Sequence, residues 1–224
     1  MMRVQGRMAV SVFCILLAAG PAALTYEKQL DSRTLRDAYF LGAGSVSSVE
    51  SFSNDYERNF LGGSVERIAI ITPFKEMVDR VWKARRDTQE PRTPQAGGRI
   101  AVEPQEYDPV RLEAEYKRQP PPLAVEVTPA PPQGPAAADV NYWQKFDVRL
   151  IQENEIQPLS RRAVPIYGSR GPADRYASHG PVARRFVIRL IYNPDKVASG
   201  STRIVVTGPD GQEVEAYFDL GRLR

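Results

Sequence analysis

The chain has 224 residues, and it carries 30 basic against 27 acidic side chains and one cysteine, for a formal net charge of +3. So small a charge excludes general binding of polyanions, and the lone Cys14 excludes internal disulfides and thiolate metal sites. A chain of this length can be stabilised by packing alone, as one core or as one core with a small satellite.

The amino terminus has the three parts of a secretory signal peptide. Arg3 and Arg7 precede a long uncharged, mostly apolar run, and small residues follow it. We expect cleavage near Ala22 or Ala23, which removes the segment 1–23 and leaves 28 basic against 27 acidic side chains, a formal charge of +1. The chain is then exported, to the periplasm or outside the cell. An uncleaved membrane anchor stays open, because the run approaches the roughly 20 residues that span a bilayer.

Residues 24–88 are predicted to form a helical segment with one short strand. Asp31 is the expected N-cap of a first helix that ends near Leu41. Ser47 opens a capping box for a second amphipathic helix, which is expected to continue to Gly62.

A short buried strand at 67–71 precedes a third helix, which Pro73 opens. Its polar face carries Glu76 and Asp79, which argue against binding of this helix to an anionic membrane. Its apolar side chains recur at helical spacing and predict a buried stripe, made of Phe74, Met77, Val78, Val81 and Trp82.

The segment 89–139 is predicted to be a proline-rich linker or irregular region. Seven prolines fall between Pro120 and Pro135, and proline supplies no amide donor to a helix or a central strand. Inside the segment, the pattern indicates a short helix at 110–117 and a candidate strand at 123–127.

Along residues 140–224, apolar and polar side chains alternate with a period of two residues, as in antiparallel strands. It is clearest at 146–150, at 186–192 and in the terminal hairpin at 203–224, whose turn contains Gly211. The predicted fold class is α+β, with an amino-terminal helical segment followed by an antiparallel β-sandwich of immunoglobulin-like architecture in the carboxyl-terminal half.

The sequence lacks the residues that most catalytic mechanisms require. His179, the only histidine, lies in a loop context without a nucleophile elbow, so neither a hydrolase triad nor a zinc site is expected. No phosphate-binding glycine loop follows a strand, and we expect no metal and no cofactor. The acidic pairs Glu113 with Glu115 and Glu153 with Glu155 are interpreted as solvated faces.

One segment, 161–186, concentrates arginine and tyrosine. Arginine binds carboxylate or phosphate through two parallel hydrogen bonds, and tyrosine suits contact surfaces. We therefore predict a binding site here, unless these arginines are paired with acids elsewhere in the fold. The predicted binding residues are Arg161, Arg162, Tyr167, Arg170, Arg175, Tyr176, Arg184 and Arg185.

Together these patterns predict an exported, non-catalytic binding or assembly module of the cell envelope. Its partner is expected to be a protein or an anionic envelope component rather than nucleic acid, with membrane contact only if the amino-terminal segment stays uncleaved. The alternative is a carboxylate-dependent hydrolase acting on envelope polysaccharide. A pair of carboxylates facing into a cleft would favour the hydrolase, and a flat arginine and tyrosine surface would favour the module.

Overall fold

The computed structural model describes residues 26–89, 108–131, 139, 141–166 and 185–224, in which there are four α-helices and nine β-strands. The helices are α1 (Ser32–Gly42), α2 (Val46–Asp55), α3 (Pro73–Gln89) and α4 (Pro109–Arg118). The strands are β1 (Glu57–Asn59), β2 (Val65–Ile71), β3 (Leu123–Pro129), β4 (Asp147–Ile151), β5 (Glu155–Ile156), β6 (Ser160–Pro165), β7 (Phe186–Tyr192), β8 (Ser201–Thr207) and β9 (Glu213–Asp219). Within these ranges, every helix is too short or too polar to cross a lipid bilayer.

Side-chain caps fix where the first two helices begin. The Asp31 carboxylate accepts a hydrogen bond from the Thr34 amide at 2.7 Å, which confirms the predicted N-cap of α1. In α2 the cap is Ser45, whose hydroxyl accepts from the Ser48 amide at 3.2 Å. The expected capping box at Ser47 was therefore two residues late.

Helix α2 is shorter than its sequence pattern predicts. It ends at Asp55, where a helix to Gly62 was expected, and β1 follows at once. Tyr56 shares helical spacing with its apolar neighbours, but its ring lies in the core between the sheets and its carbonyl accepts from the Ile70 amide at 2.9 Å. Gly62 and Gly63, with φ of 85° and 81°, then turn the chain into β2.

Two antiparallel sheets enclose one hydrophobic core. The five-stranded sheet has the order β1-β2-β3-β7-β6, and the four-stranded sheet has the order β5-β4-β8-β9. Alternate side chains of both sheets meet between them, as in a β-sandwich. The central members of this core are Ile68, Val125, Ile188 and Leu190 from the first sheet and Leu150, Ile204, Val206 and Phe218 from the second.

The predicted α+β class, with antiparallel sheets and helices in the amino-terminal half, is confirmed. The sheets are not confined to residues 140–224, however, since the larger one takes three strands from residues 57–129. Two stretches inside the expected linker, 109–118 and 123–129, form α4 and β3. Strand β3 pairs with both β2 and β7, because the prolines lie at its borders and leave its interior amides free to donate.

The helices pack mainly on one another around α3. Its predicted apolar stripe is confirmed at Phe74, Met77, Val78 and Val81, each no more than 2% exposed. Trp82, the fifth predicted member, is only half-buried. Helix α1 approaches α3 closely at Gly42, where an added Cβ atom would lie 2.6 Å from the Val78 carbonyl oxygen.

Candidate functional site

Three of the eight predicted binding residues fall within the described chain. These are Arg161, Arg162 and Arg185. The other five, Tyr167, Arg170, Arg175, Tyr176 and Arg184, lie outside the described residues, as does His179.

Arg161 is a structural residue. Its Nη2 donates to the Trp143 carbonyl oxygen at 2.9 Å and to the Phe146 carbonyl oxygen, and its guanidinium lies over the Trp143 ring at 5.5 Å. Burial lowers the pKa of this guanidinium. Nη2 of Arg161 is thus bonded to the backbone at the end of the 3-10 helix Tyr142–Lys145, so part of this guanidinium is committed to the fold.

Arg162 and Arg185 lie apart on the β6-β7 hairpin. Arg162 is exposed and is the Cα partner of Arg189, whereas Arg185 lies at the end of the hairpin, beside Ile166. Three to four residues of strand separate them, about 10 to 14 Å. Arg185 also donates to Glu66 at 2.6 Å. Of the three described arginines, Arg162 is therefore the one whose side chain makes neither a hydrogen bond nor an ion pair with another described residue.

The structure brings together a different set of charged residues, on the outer face of the five-stranded sheet. Neighbouring strands place one residue each in a transverse row, with adjacent members about 5 Å apart. The row runs Glu57, Ala69, Glu126, Arg189 and Arg162, from β1 across β2, β3 and β7 to β6. Arg162 therefore stands at one end of this row.

A cleft of about 400 Å³ opens over the β1 end of the row. Its floor is the sheet, and its walls are α2 and α3. The side chains that line it include Glu50, Ser53 and Asn54 from α2, Glu57, Arg67 and Ile71 from β1 and β2, Lys75, Asp79 and Trp82 from α3, and Glu126 from β3.

Most of the cleft's charges are held in ion pairs. Arg67 Nη1 lies 3.0 Å from Glu57 Oε2, and the buried Lys75 Nζ lies 2.6 and 2.7 Å from the two carboxylate oxygens of Asp79. The side chains of this second pair differ in exposure, at 4% for the lysine and 40% for the aspartate. The charged groups are therefore fixed in place before any ligand arrives.

Glu126 is held by Arg189, its neighbour on strand β7. The two Nη atoms of Arg189 donate to Glu126 Oε1 at 3.1 Å and to Glu76 Oε2 at 2.9 Å, which ties β3 and β7 to α3. All three side chains are 18 to 20% exposed. Glu76 and Asp79, the acids of the polar face of α3, thus face the sheet and the cleft, because this side of the helix covers the charged row.

Two carboxyl groups of the cleft have raised pKa values. Burial raises the pKa of Glu126, with Glu76 and Asp79 adding to the shift and Arg189 and Arg67 opposing it. Burial also raises the pKa of Asp79, against the opposing effect of Lys75. The side chain of Glu126 is 19% exposed, and that of Asp79 is 40% exposed.

The α2 wall supplies polar groups that the fold leaves unused. Among the described residues, the side chains of Glu50, Ser53 and Asn54 make no hydrogen bond or ion pair. Opposite them, Trp82 packs partly against the helical cluster and also lines the cleft. The cleft therefore combines fixed ion pairs, an aromatic wall and a rim of free polar side chains.

Sequence reasoning missed this cleft, although it contained a signal. Glu126 is the one charged residue of LAVEVTP, and Arg189 is the one charged residue of FVIRLIY. A charge inside an otherwise apolar strand needs a partner when the strand is covered on both faces. That reasoning indicates an ion pair on a covered sheet, but not which helix covers it.

Within the described ranges, no group of three or more histidine, cysteine, aspartate or glutamate side chains could hold a metal ion. A second hollow, of about 560 Å³, lies at one end of the four-stranded sheet and is lined by loop residues such as Gln152 and Lys196. The Gln152 amide is already bonded in both directions to Ala198. The cleft beside α3 is therefore the better candidate site.

No protein family and no curated protein matches this chain.

Proposed function

We propose that this protein is an exported, non-catalytic binding or assembly module of the cell envelope. The observation that carries the proposal is the cleft beside α3, a preformed concave surface whose charged groups are fixed by ion pairs. Preorganised groups bind well because little ordering entropy is lost when a ligand arrives. Lys75 and Arg189 hold Asp79 and Glu126, which suits these carboxylates to holding a ligand more than to exchanging protons. Export rests on the amino-terminal sequence.

In this proposal, the arginine-rich segment 161–186 contacts an anionic protein or envelope component. Support comes from Arg162, which is exposed and unpaired among the described residues. Arg161 stays in the predicted contact set, although its Nη2 is bonded to backbone carbonyl oxygens. Immunoglobulin-like architecture is likewise proposed only in the sense of two facing antiparallel sheets.

A specific observation favours the alternative, a carboxylate-dependent hydrolase acting on envelope polysaccharide. Asp79 and Glu126 line one cleft, and both pKa values are raised, as the proton donor of a glycosidase requires. Incubation with solubilised envelope polysaccharide, followed by an assay for new reducing ends, separates the two functions. A binding module should produce no new reducing ends. Production of reducing ends that the substitution Glu126→Gln abolishes would establish the hydrolase.

The binding role itself is tested with the mature chain as immobilised bait for solubilised envelope. We expect one envelope component to be retained, with retention reduced by Arg162→Gln combined with Arg185→Gln and weakened by salt, since exposed charges are screened beyond about 8 Å at physiological ionic strength. Retention of nothing above a blank matrix would refute the module. Intact-mass measurement of native material tests export, with an expected first residue between Pro21 and Tyr26.

A further inference from the structure

The cleft beside α3 has the size and form of a small-molecule site. Its volume of about 400 Å³ lies within the range of roughly 300 to 1,000 Å³ that is usual for ligand pockets. Two elements that are tied to the sheet form it, since α2 runs directly into β1 and Arg189 anchors α3. Its shape therefore does not depend on a ligand.

The charges of the cleft nearly cancel one another. Glu57 is paired with Arg67, and Asp79 with Lys75. Glu126 shares Arg189 with Glu76, which also pairs with Arg80, so that one carboxylate, Glu50, is left in excess. An anionic ligand would have to displace a carboxylate from one of these pairs, and a cationic ligand would find only Glu50 without a partner among the described residues. A neutral ligand with several hydroxyl groups can bind without breaking a pair, because paired carboxylates keep further lone pairs and paired guanidiniums keep further N–H groups.

The pairs present acceptors and donors side by side. Arg67 donates through Nη1 to Glu57 and through Nε to the Thr128 hydroxyl, and it remains 32% exposed. Hydroxyl groups on adjacent carbons can donate to a carboxylate and accept from such a guanidinium at once. The free side chains of Ser53 and Asn54 on the α2 wall offer both donors and acceptors of the same kind.

Trp82 provides the apolar counterpart. Its ring is partly exposed where it lines the cleft, and it is one turn of α3 away from Asp79. A sugar ring has an apolar C–H face and hydroxyls at its edge, so an aromatic wall beside paired ions contacts both parts. We propose that the cleft binds a neutral saccharide unit, with its ring against Trp82 and its hydroxyls on the ion pairs and the α2 rim. This inference rests on the binding role proposed above.

The test uses the mature chain carrying Trp143→Phe, so that Trp82 is the only tryptophan. The probes are the N-acetylglucosamine trimer and maltotriose, with spermidine as a cationic comparison. We expect one neutral probe to change the Trp82 emission saturably, with an apparent Kd that changes less than twofold when salt is raised from about 0.02 to 0.3 M, because the binding is not ionic.

Variants then locate the binding by calorimetry. Trp82→Ala should weaken it at least tenfold, and Glu50→Ala, on an exposed position that cannot disturb the core, about threefold. Arg203→Gln, on the other sheet, is the control and should leave the affinity unchanged. Circular dichroism checks that each variant is folded.

Three results would overturn the proposal. One is no response to either saccharide at about 10 mM, a concentration that reveals a millimolar Kd. The others are unchanged affinity in both Trp82→Ala and Glu50→Ala, and saturable binding of spermidine alone, which would make the site cationic. If the saccharides fail while the bait still retains an envelope component, only the ligand class is wrong; if both fail, the binding module is wrong too.

Discussion

Replacing Arg189 by methionine should destabilise the fold strongly. The substitution keeps an apolar stem but removes the guanidinium and its two charge-assisted hydrogen bonds, to Glu126 and Glu76, each worth about 1.5 to 3 kcal/mol. It also leaves two carboxylates that are only 19 and 20% exposed without this cation. Since breaking a fully buried pair costs about 3 to 5 kcal/mol and this network keeps some solvent, we expect a loss of about 3 kcal/mol near pH 8.

The loss should shrink at lower pH. The pKa of Glu126 is already raised, and removing Arg189 raises it further. A carboxyl group whose pKa is higher in the folded than in the unfolded chain favours folding most at low pH, and that contribution is lost as pH rises through the folded pKa. The free energy of unfolding of the variant, measured by urea titration, should therefore approach that of the parent near pH 5.

A matched control is Arg203→Met on β8, whose pair with Glu215 is 42 and 36% exposed. Exposed pairs contribute about 0 to 1 kcal/mol, so this variant should lose no more than that. Equal losses in the two variants, or a loss for Arg189→Met that is below about 1 kcal/mol or independent of pH, would refute the stabilising role given to this partly buried network.

Three further predictions concern stability, and urea titration measures each. Trp82→Ala should lower the free energy of unfolding by only about 1 to 2 kcal/mol, because the ring is half-buried. Phe74→Ala should lower it by about 3 to 5 kcal/mol, because Phe74 is fully buried. Equal losses would place Trp82 in the core and remove it from the cleft. Arg161→Gln should cost about 1 to 3 kcal/mol through its lost bonds to backbone carbonyls, and Arg162→Gln less than about 0.5 kcal/mol; the reverse order would contradict the roles given to them. Gly42→Ala should cost about 1 to 3 kcal/mol by overpacking α1 against α3, and a neutral result would mean that the two helices can separate.

The elements that were predicted correctly are those whose buried face can be recognised within a short stretch of sequence. The stripe of α3 and the alternation of β7 each show, within a few residues, which face is covered, so periodicity is enough to find them. Strand β1 was not predicted, because its local pattern indicated a helix. Tyr56 and Phe60 are four residues apart, as on a helix face, but pairing of residues 57–59 with β2 outweighed that local preference.

The cleft could not be predicted because its parts come together only through the register of the sheet. Glu57 and Glu126 are far apart in the chain and two strands apart in the fold, and β2 fixes both positions. The isolated charges of β3 and β7 indicated a pair, but the covering helix was a matter of tertiary packing. In the arginine-rich segment, composition alone did not distinguish Arg161, which bonds backbone carbonyl oxygens, from the exposed Arg162.

The central claim is that the cleft beside α3 binds a ligand, and nuclear magnetic resonance of the isotope-labelled chain tests it most directly. On titration with the neutral saccharide that binds, the indole N–H of Trp82 and the amides of residues 50–54 should shift together, while the indole N–H of Trp143 stays in place. Shifts confined to the region of Trp143 and Arg162, or no shifts in α2 and α3 at saturation, would contradict the account.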